Sequence, residues 1–385
     1  MGNCSVLLAA DSFKGSASST EVENLLELGV RRVVPDCSVL KYPIADGGEG
    51  TVDAVMAARG GTLRHVSVRG PLGSAVDAGY ALCGDVAIIE MAQASGITLI
   101  EQNPHNALNA STYGVGQIIL DALDAGAAHI CIGLGGSATS DGGAGMAKAL
   151  GVRFLDGNDQ DVPCGLAGLE HLASIDIAGL DPRVAATDFS ALTDVSNPLT
   201  GPDGAVEVYG PQKGIGAKEL HRFDGWMADY AVLLSQVSGR DVTGIPGSGA
   251  AGGLGAALAA FLNARISSGI DTVLDMIGLE NVMDDVDLVI TGEGRMDSQS
   301  VNGKAPVGVA LRAKRHSVPV IAVVGSRADD LGDVYEQGVD LVLSCVNEPM
   351  SLEQCIQKVS TTIPAAAETA MRAFMLGRRE KADGA

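Results

Sequence analysis

Aromatic residues are scarce: one Trp, six Tyr and six Phe in 385 residues. That is too few for a base-stacking nucleic-acid surface or for aromatic belts facing lipid. Paired cysteine motifs are missing too. Cys4, Cys37, Cys83, Cys131, Cys164, Cys345 and Cys355 are odd in number, scattered and never spaced as CxxC, which reads as free thiols in a reducing cytosol. The six histidines form neither HExxH nor a close pair, so zinc has no support. No run of about 18 apolar residues is present to span a membrane, and residues 6–10 are too short for a secretory core and lack a basic flank. Charged residues make up only 19%, and the net charge is −21 with no basic block. A field of that sign repels phosphate backbones. An anionic ligand must therefore be held by local basic residues, helix N-termini or a metal ion. The expectation is a cytoplasmic protein with small-molecule ligands and no nucleic-acid or membrane partner. Its assembly, homodimer or otherwise, is not readable.

What is abundant is glycine, 51 residues against a background of ~7%. The glycines cluster at the ends of apolar runs, where backbone turns sharply or approaches a ligand. The length exceeds the ~100–200 residues of one domain, so two are expected. At the N-terminal end, strands at 5–10 and 38–44 alternate with helices at 19–34 and 50–59. At the C-terminal end, strands at 287–291, 318–324 and 339–346 alternate with helices at 304–316, 331–337 and 352–376. Short apolar strands alternating with helices predict a parallel sheet covered on both faces. The middle has strands at 87–91, 129–134 and 206–209, and helices at 113–125, 143–150, 219–235 and 253–267. The fold class is α/β: a Rossmann-like parallel-sheet domain built from both chain ends (1–64 and 286–385), with a second α/β domain inserted (65–285). Two sequential domains are the alternative, which leaves each end with a very small sheet.

Five segments carry chemistry. DSFKGS (11–16) follows the first strand. Asp11, Ser12, Gly15 and Ser16 lie at a helix entry with Lys14, an arrangement that attracts anions; a strand–helix loop with capping serines is the plain reading. ADGGEGT (45–51) offers Asp46 and Glu49 beside three glycines, suited to Mg²⁺ or to an ordinary Asp-Gly turn. GLGGSATSDGG (133–143) has Gly135, Gly136, Ser137, Ala138 and Thr139 free to cradle a phosphate or carboxylate. TDVSNPLTG (193–201), followed by GPQKG (210–214) with Lys213, puts Asp194 at a strand end as a candidate base, with Asp188 competing. TGEGRMDSQS (291–300) and then Lys304 bring together Glu293, Arg295, Asp297 and Gln299. Two decoys fail. Residues 298–305 miss the P-loop spacing, and GxGxxG at 247–252 follows Pro246 rather than a strand.

Taken in order, these segments and PGSGAAGGLG (246–255) resemble the bacterial glycerate kinase family over almost the whole chain, from Ser5 to about Leu376. The resemblance implies an enzyme that uses ATP and Mg²⁺ to phosphorylate D-glycerate, in this branch at O2, with its site in the cleft between the two domains. On that reading Asp194 is the first choice of base and Asp141 the second, with Lys14 beside them in the catalytic set. Gly135 to Thr139 and Lys14 hold anionic groups, and Arg295 and Lys304 face the ATP phosphates. Asp46, Glu49, Glu293 and Asp297 are the candidate metal sphere, Glu293 also counting among the phosphate-binding residues with Lys213 and Gln299. Phosphorylation of another hydroxy acid, phosphorylation at O3, or a non-catalytic two-domain anion sensor remain as alternatives.

Overall fold

The computed structural model describes residues 4–301 and 303–383, with 379–383 described by backbone alone. The chain divides into two compact units. The first comprises Met1–Asp46, Asp53–Arg59 and Ile270–Ala385; the second comprises Gly47–Val52 and Gly60–Gly269.

The first unit contains a five-stranded sheet in the order Leu341–Ser344, Val320–Val324, Leu288–Gly292, Ser5–Ala10, Ser38–Lys41, and every pairing is parallel. Both chain ends thus build one sheet. Residues 6–10, 288–292 and 320–324 are buried without alternation, as expected of strands covered on both faces. Helices Ser19–Val33 and Val359–Asp383 pack together, and Val22, Leu26 and Val30 share a core with Val6, Leu8, Ile363, Ala367 and Met371. Helix Ala305–Arg315 packs on strands Leu288–Gly292 and Ser5–Ala10. Ser18 opens the helix Ser19–Val33 with a capping box, accepting from the Glu21 amide while Glu21 receives the Ser18 amide.

The second unit has a six-stranded sheet in the order Arg265–Ser267, Asp188–Leu192, His129–Gly133, Val86–Glu90, Ala75–Cys83, Thr62–Arg69. Four strands are parallel, and the last two form an antiparallel hairpin. Its core gathers Tyr80, Ile89, Ile118, Phe154, Met227, Tyr230 and Leu254, all nearly fully buried.

Four expectations are corrected. Residues 206–209 lie inside helix Ala205–Lys213 rather than a strand, and 331–337 holds only a 3-10 turn, Gly332–Val334. The long C-terminal helix is two, Leu352–Gln357 and Val359–Asp383, the first capped by Ser351. Residues 265–267, expected at the end of the helix 253–267, form an edge strand instead, and the hairpin was not expected. Among the described residues, no helix is long and apolar enough to cross a membrane.

Candidate active site

In the first unit, the sheet order reverses between Ser5–Ala10 and Leu288–Gly292: the chain runs from the one toward Ser38–Lys41 and from the other toward Leu341–Ser344. Ligands of open parallel sheets bind at such a switch, beyond the carboxyl ends of the strands. A cavity of about 510 Å³ lies there, lined by Asp11–Ser16 loop residues, Glu293–Arg295, Gly325, Ser326, Cys345 and Val346, each group following a different strand.

Acids and bases meet in this cavity. Asp11 is 8% exposed. Burial pushes its carboxyl up to about 7, with Asp46 and Glu293 adding to the rise; the Ser12 amide, 2.6 Å away, and Lys14 oppose it. Glu293 is also raised by burial, against Lys304, whose Nζ lies 3.2 Å from Oε2, and Ser300, whose hydroxyl donates to Oε1 at 2.8 Å. Lys14 and Arg295 are exposed and line the same space, and so does Ser12. Ser16 also lines it and donates to the Phe13 carbonyl, while Gly15 turns the loop at φ +79°.

Of the expected metal sphere, Asp46 and Glu293 line this cavity and the other two residues do not. Asp297 is spent on Arg295, 3.4 Å away, and on the Gln299 amide, and neither Asp297 nor Gln299 lines the cavity. Glu49 is exposed and does not line it either. Among the described residues, no three of His, Cys, Asp and Glu are placed to hold a metal on their own. The donors that fit a magnesium ion are instead Asp11 and Asp46. They are hard oxygens whose mutual repulsion a cation would relieve, and Mg²⁺ commonly takes one or two carboxylates plus substrate phosphates.

In the second unit, the parallel strands end at Glu90, Gly133, Leu192 and Ser267, and three of the glycine motifs converge on that edge. A Cβ on Gly135 would lie 2.7 Å from Gly48 Cα, and one on Gly47 would lie 3.0 Å from Gly269 Cα and 3.1 Å from Leu192 Cβ. Glu90, 4% exposed, accepts from the Val52 amide at 2.9 Å. The loop after Gly133 has an open part and a closed part. Gly135, Gly136 and Ser137 are at least partly exposed. Ala138 gives its amide to the Ser95 carbonyl, and Thr139 is fully buried.

Two expectations fail on the closed part. Asp141 is fully buried and receives the Thr112 amide and hydroxyl and the Gly143 and Gly145 amides at 2.8–3.1 Å. Burial raises its carboxyl against those bonds. With no open face, it shapes the loop instead of accepting a substrate proton. Lys213 is 3% exposed and donates to the Thr139 carbonyl at 2.6 Å; burial pulls it down to about 7, with Asp141 opposing. It fastens the loop from behind rather than binding a ligand. The GxGxxG decoy also serves this loop, through the Gly142 amide on the Gly252 carbonyl.

Asp194, partly exposed, accepts from Ser268 Oγ at 3.1 Å and from the Gly269 amide at 2.9 Å. Asp188 begins the strand that Asp194 follows, so it lies at the opposite edge of the sheet, exposed and 3.4 Å from His129. Sequence reasoning missed the Asp11–Asp46 pairing, Glu90, Ser300 and the apolar cavity wall at 345–363.

The model of the glycerate kinase family matches residues 6–375. The chain is 45% identical to a glycerate kinase from Halalkalibacterium halodurans over 94% of its length and 96% of the relative's. It is 43% identical to glycerate 2-kinase from Escherichia coli over 97% and 99%, respectively. A crystal structure assigned to glycerate kinase 2 from Salmonella typhimurium LT2 superposes with a TM-score of 0.85 at 44% identity, covering 98% of this chain and 100% of that one.

Proposed function

The chain belongs to the glycerate kinase family and is a phosphotransferase, and from that premise we propose that it phosphorylates D-glycerate with magnesium-bound ATP at O2, giving 2-phosphoglycerate and ADP. The observation that carries this reading is the switch-point cavity of the first unit, where Lys14, Arg295 and Lys304 stand among Asp11, Asp46 and Glu293. A polyphosphate escorted by a divalent cation needs both signs of charge in one place. The preference for O2 rests on the Escherichia coli relative named glycerate 2-kinase.

Phosphoryl transfer asks the protein mainly for positioning and charge neutralisation. Lys14, Arg295 and Lys304 would neutralise the polyphosphate. Asp11 and Asp46 would hold the magnesium ion, which when bound shields the charge on the transferring phosphoryl oxygens. Gly135, Gly136 and Ser137, the open part of their loop, would hold the glycerate carboxylate. Asp194, oriented by Ser268 and Gly269, would take the proton of the O2 hydroxyl as that oxygen bonds to the γ-phosphorus and the bond from phosphorus to the ADP oxygen breaks.

Phosphorus NMR of the product from D-glycerate, ATP and Mg²⁺ tests this. A phosphate on the C2 methine gives a doublet from its single proton neighbour, and one on the C3 methylene gives a triplet. A triplet overturns the regiochemistry. Turnover that survives chelation by EDTA overturns the magnesium assignment, and a faster reaction with another hydroxy acid overturns the acceptor.

A further inference from the structure

The cavity of the first unit has a wall that phosphates cannot use. Met350, Leu352, Ile356, Val359 and Ile363 line it. Two of these are exposed, Leu352 at 77% and Ile356 at 39%, on the short helix Leu352–Gln357, none of whose residues is buried. Among the described residues of this wall, the polar side chains are few. Thr362 spends its hydroxyl on the Lys358 carbonyl at 3.2 Å, and Cys345 and Cys355 are thiols. Two backbone amides of the wall are committed as well: that of Cys345 goes to the Val324 carbonyl and that of Val346 to Ser344 Oγ.

We propose that this wall is the nucleobase subsite, and that it takes a purine by apolar contact rather than by side-chain hydrogen bonds. The inference rests on the kinase reading above and goes beyond it by placing the nucleotide. Size and polarity exclude the acceptor here. Glycerate carries oxygen on each of its three carbons and is small beside about 510 Å³, a volume within the ~300–1,000 Å³ usual for drug-sized ligands. A purine offers two flat faces, and its triphosphate would reach the cations of the same cavity. An apolar pocket discriminates isosteres weakly, by about 10–10²-fold. GTP should therefore replace ATP with kcat/KM lowered by no more than about a hundredfold.

The test uses calorimetry of Mg–ADP and steady-state kinetics on the wild type and on Ile356→Trp, which fills the space from an exposed position, with thermal melting to confirm folding. The expected result is a Kd for Mg–ADP and a KM for ATP raised at least tenfold, with the KM for glycerate within twofold. A variant whose nucleotide affinity is unchanged, or whose glycerate KM rises instead, overturns the subsite while leaving the kinase reading in place. A wild type that binds no Mg–ADP overturns both. A second readout needs no mutation of the wall: Cys355 is partly exposed in it. In Cys164→Ser protein, peptide-resolved alkylation of Cys355 should be slowed about tenfold by Mg–ADP and not by glycerate; alkylation that Mg–ADP leaves untouched overturns the placement.

Discussion

Lys304 holds Glu293 across the floor of the first unit's cavity, its ammonium 3.2 Å from Oε2 while Ser300 donates to Oε1 at 2.8 Å. Glu293 is 7% exposed, and Lys304 is the foremost influence opposing the rise that burial imposes on its carboxyl. The lysine serves two purposes, since it also lines the space assigned to phosphates. Lys304→Met should weaken Mg–ADP binding at least about tenfold, because one of three cations is lost. It should also lower stability by about 1–3 kcal/mol, because a buried acid loses its partner. Calorimetry and urea titration check the two effects separately, and unchanged ADP affinity would remove Lys304 from the phosphate set.

The carboxylate of Asp194 faces a different demand. Its Oδ1 accepts from Gly269 and Ser268, and asparagine keeps an oxygen there while losing the basicity. Asp194→Asn should lower kcat by ~10²–10⁴, the usual contribution of a general base, with the melting temperature close to that of the wild type. Near-full turnover in this variant would eliminate Asp194 as the base.

Asp141 should behave in the opposite way. Four donors converge on it with no solvent access. In Asp141→Asn, one oxygen becomes an amide group that turns its hydrogens toward N–H groups. A cost of about 2–4 kcal/mol is expected, read as a lower urea midpoint, with kcat per folded molecule falling far less than in Asp194→Asn. A stable but inactive Asp141→Asn would return this residue to the chemistry.

Much of this was legible where strands are buried on both faces. Residues 5–10 and 288–292 are apolar runs that end in DSFKGS and TGEGRMD, so the chain announces both the strand and the loop at its carboxyl end. Hairpin strand Thr62–Arg69 was missed because most of it is exposed and its polar residues blur the alternation. Residues 206–209 misled through Val206, Val208 and Tyr209, whose β-propensity lost to packing of the helix Ala205–Lys213 on Leu220–Ser238. Asp141 and Lys213 misled for another reason. A charged residue beside glycines looks ligand-facing, and only tertiary structure reveals that both point into the protein. The apolar cavity wall was hidden because its apolar spacing continues across Lys358, where the helix in fact breaks.

Glycine content can be divided by what a methyl group would meet. At Gly135 it would meet Gly48 Cα at 2.7 Å, so Gly135→Ala must push apart the loops at 47–52 and 133–139, at about 1–3 kcal/mol, with a higher KM for glycerate. At Gly225, exposed within helix Leu220–Ser238, it would meet nothing within 4 Å. Gly225→Ala should therefore stabilise by about 0.5–1 kcal/mol and leave kinetics unchanged. Urea melts of the two variants should move in opposite directions; a shared direction would contradict this division.

Glu23 supplies a pH dependence whose sign is fixed by its surroundings. It is 1% exposed on the helix Ser19–Val33; Oε1 accepts weakly from the Ala10 amide at 3.4 Å, and Oε2 is buried without a partner. Burial pushes its carboxyl up to about 9, against the Ala10 amide and the charge of Lys41. Between an unfolded value of about 4.3 and that folded value, the native protein holds one more proton than the unfolded chain, so stability falls as pH rises. The contribution is complete below the lower limit and lost through the upper one, at a slope of about 1.4 kcal/mol per pH unit between them. Glu23→Gln stays neutral throughout and keeps the acceptor for Ala10. Urea melts from pH 5 to pH 9 should show a shallower decline for Glu23→Gln, the variant becoming the more stable protein toward the alkaline end. Parallel curves for the two proteins would mean that Glu23 ionises in the folded state at its ordinary value.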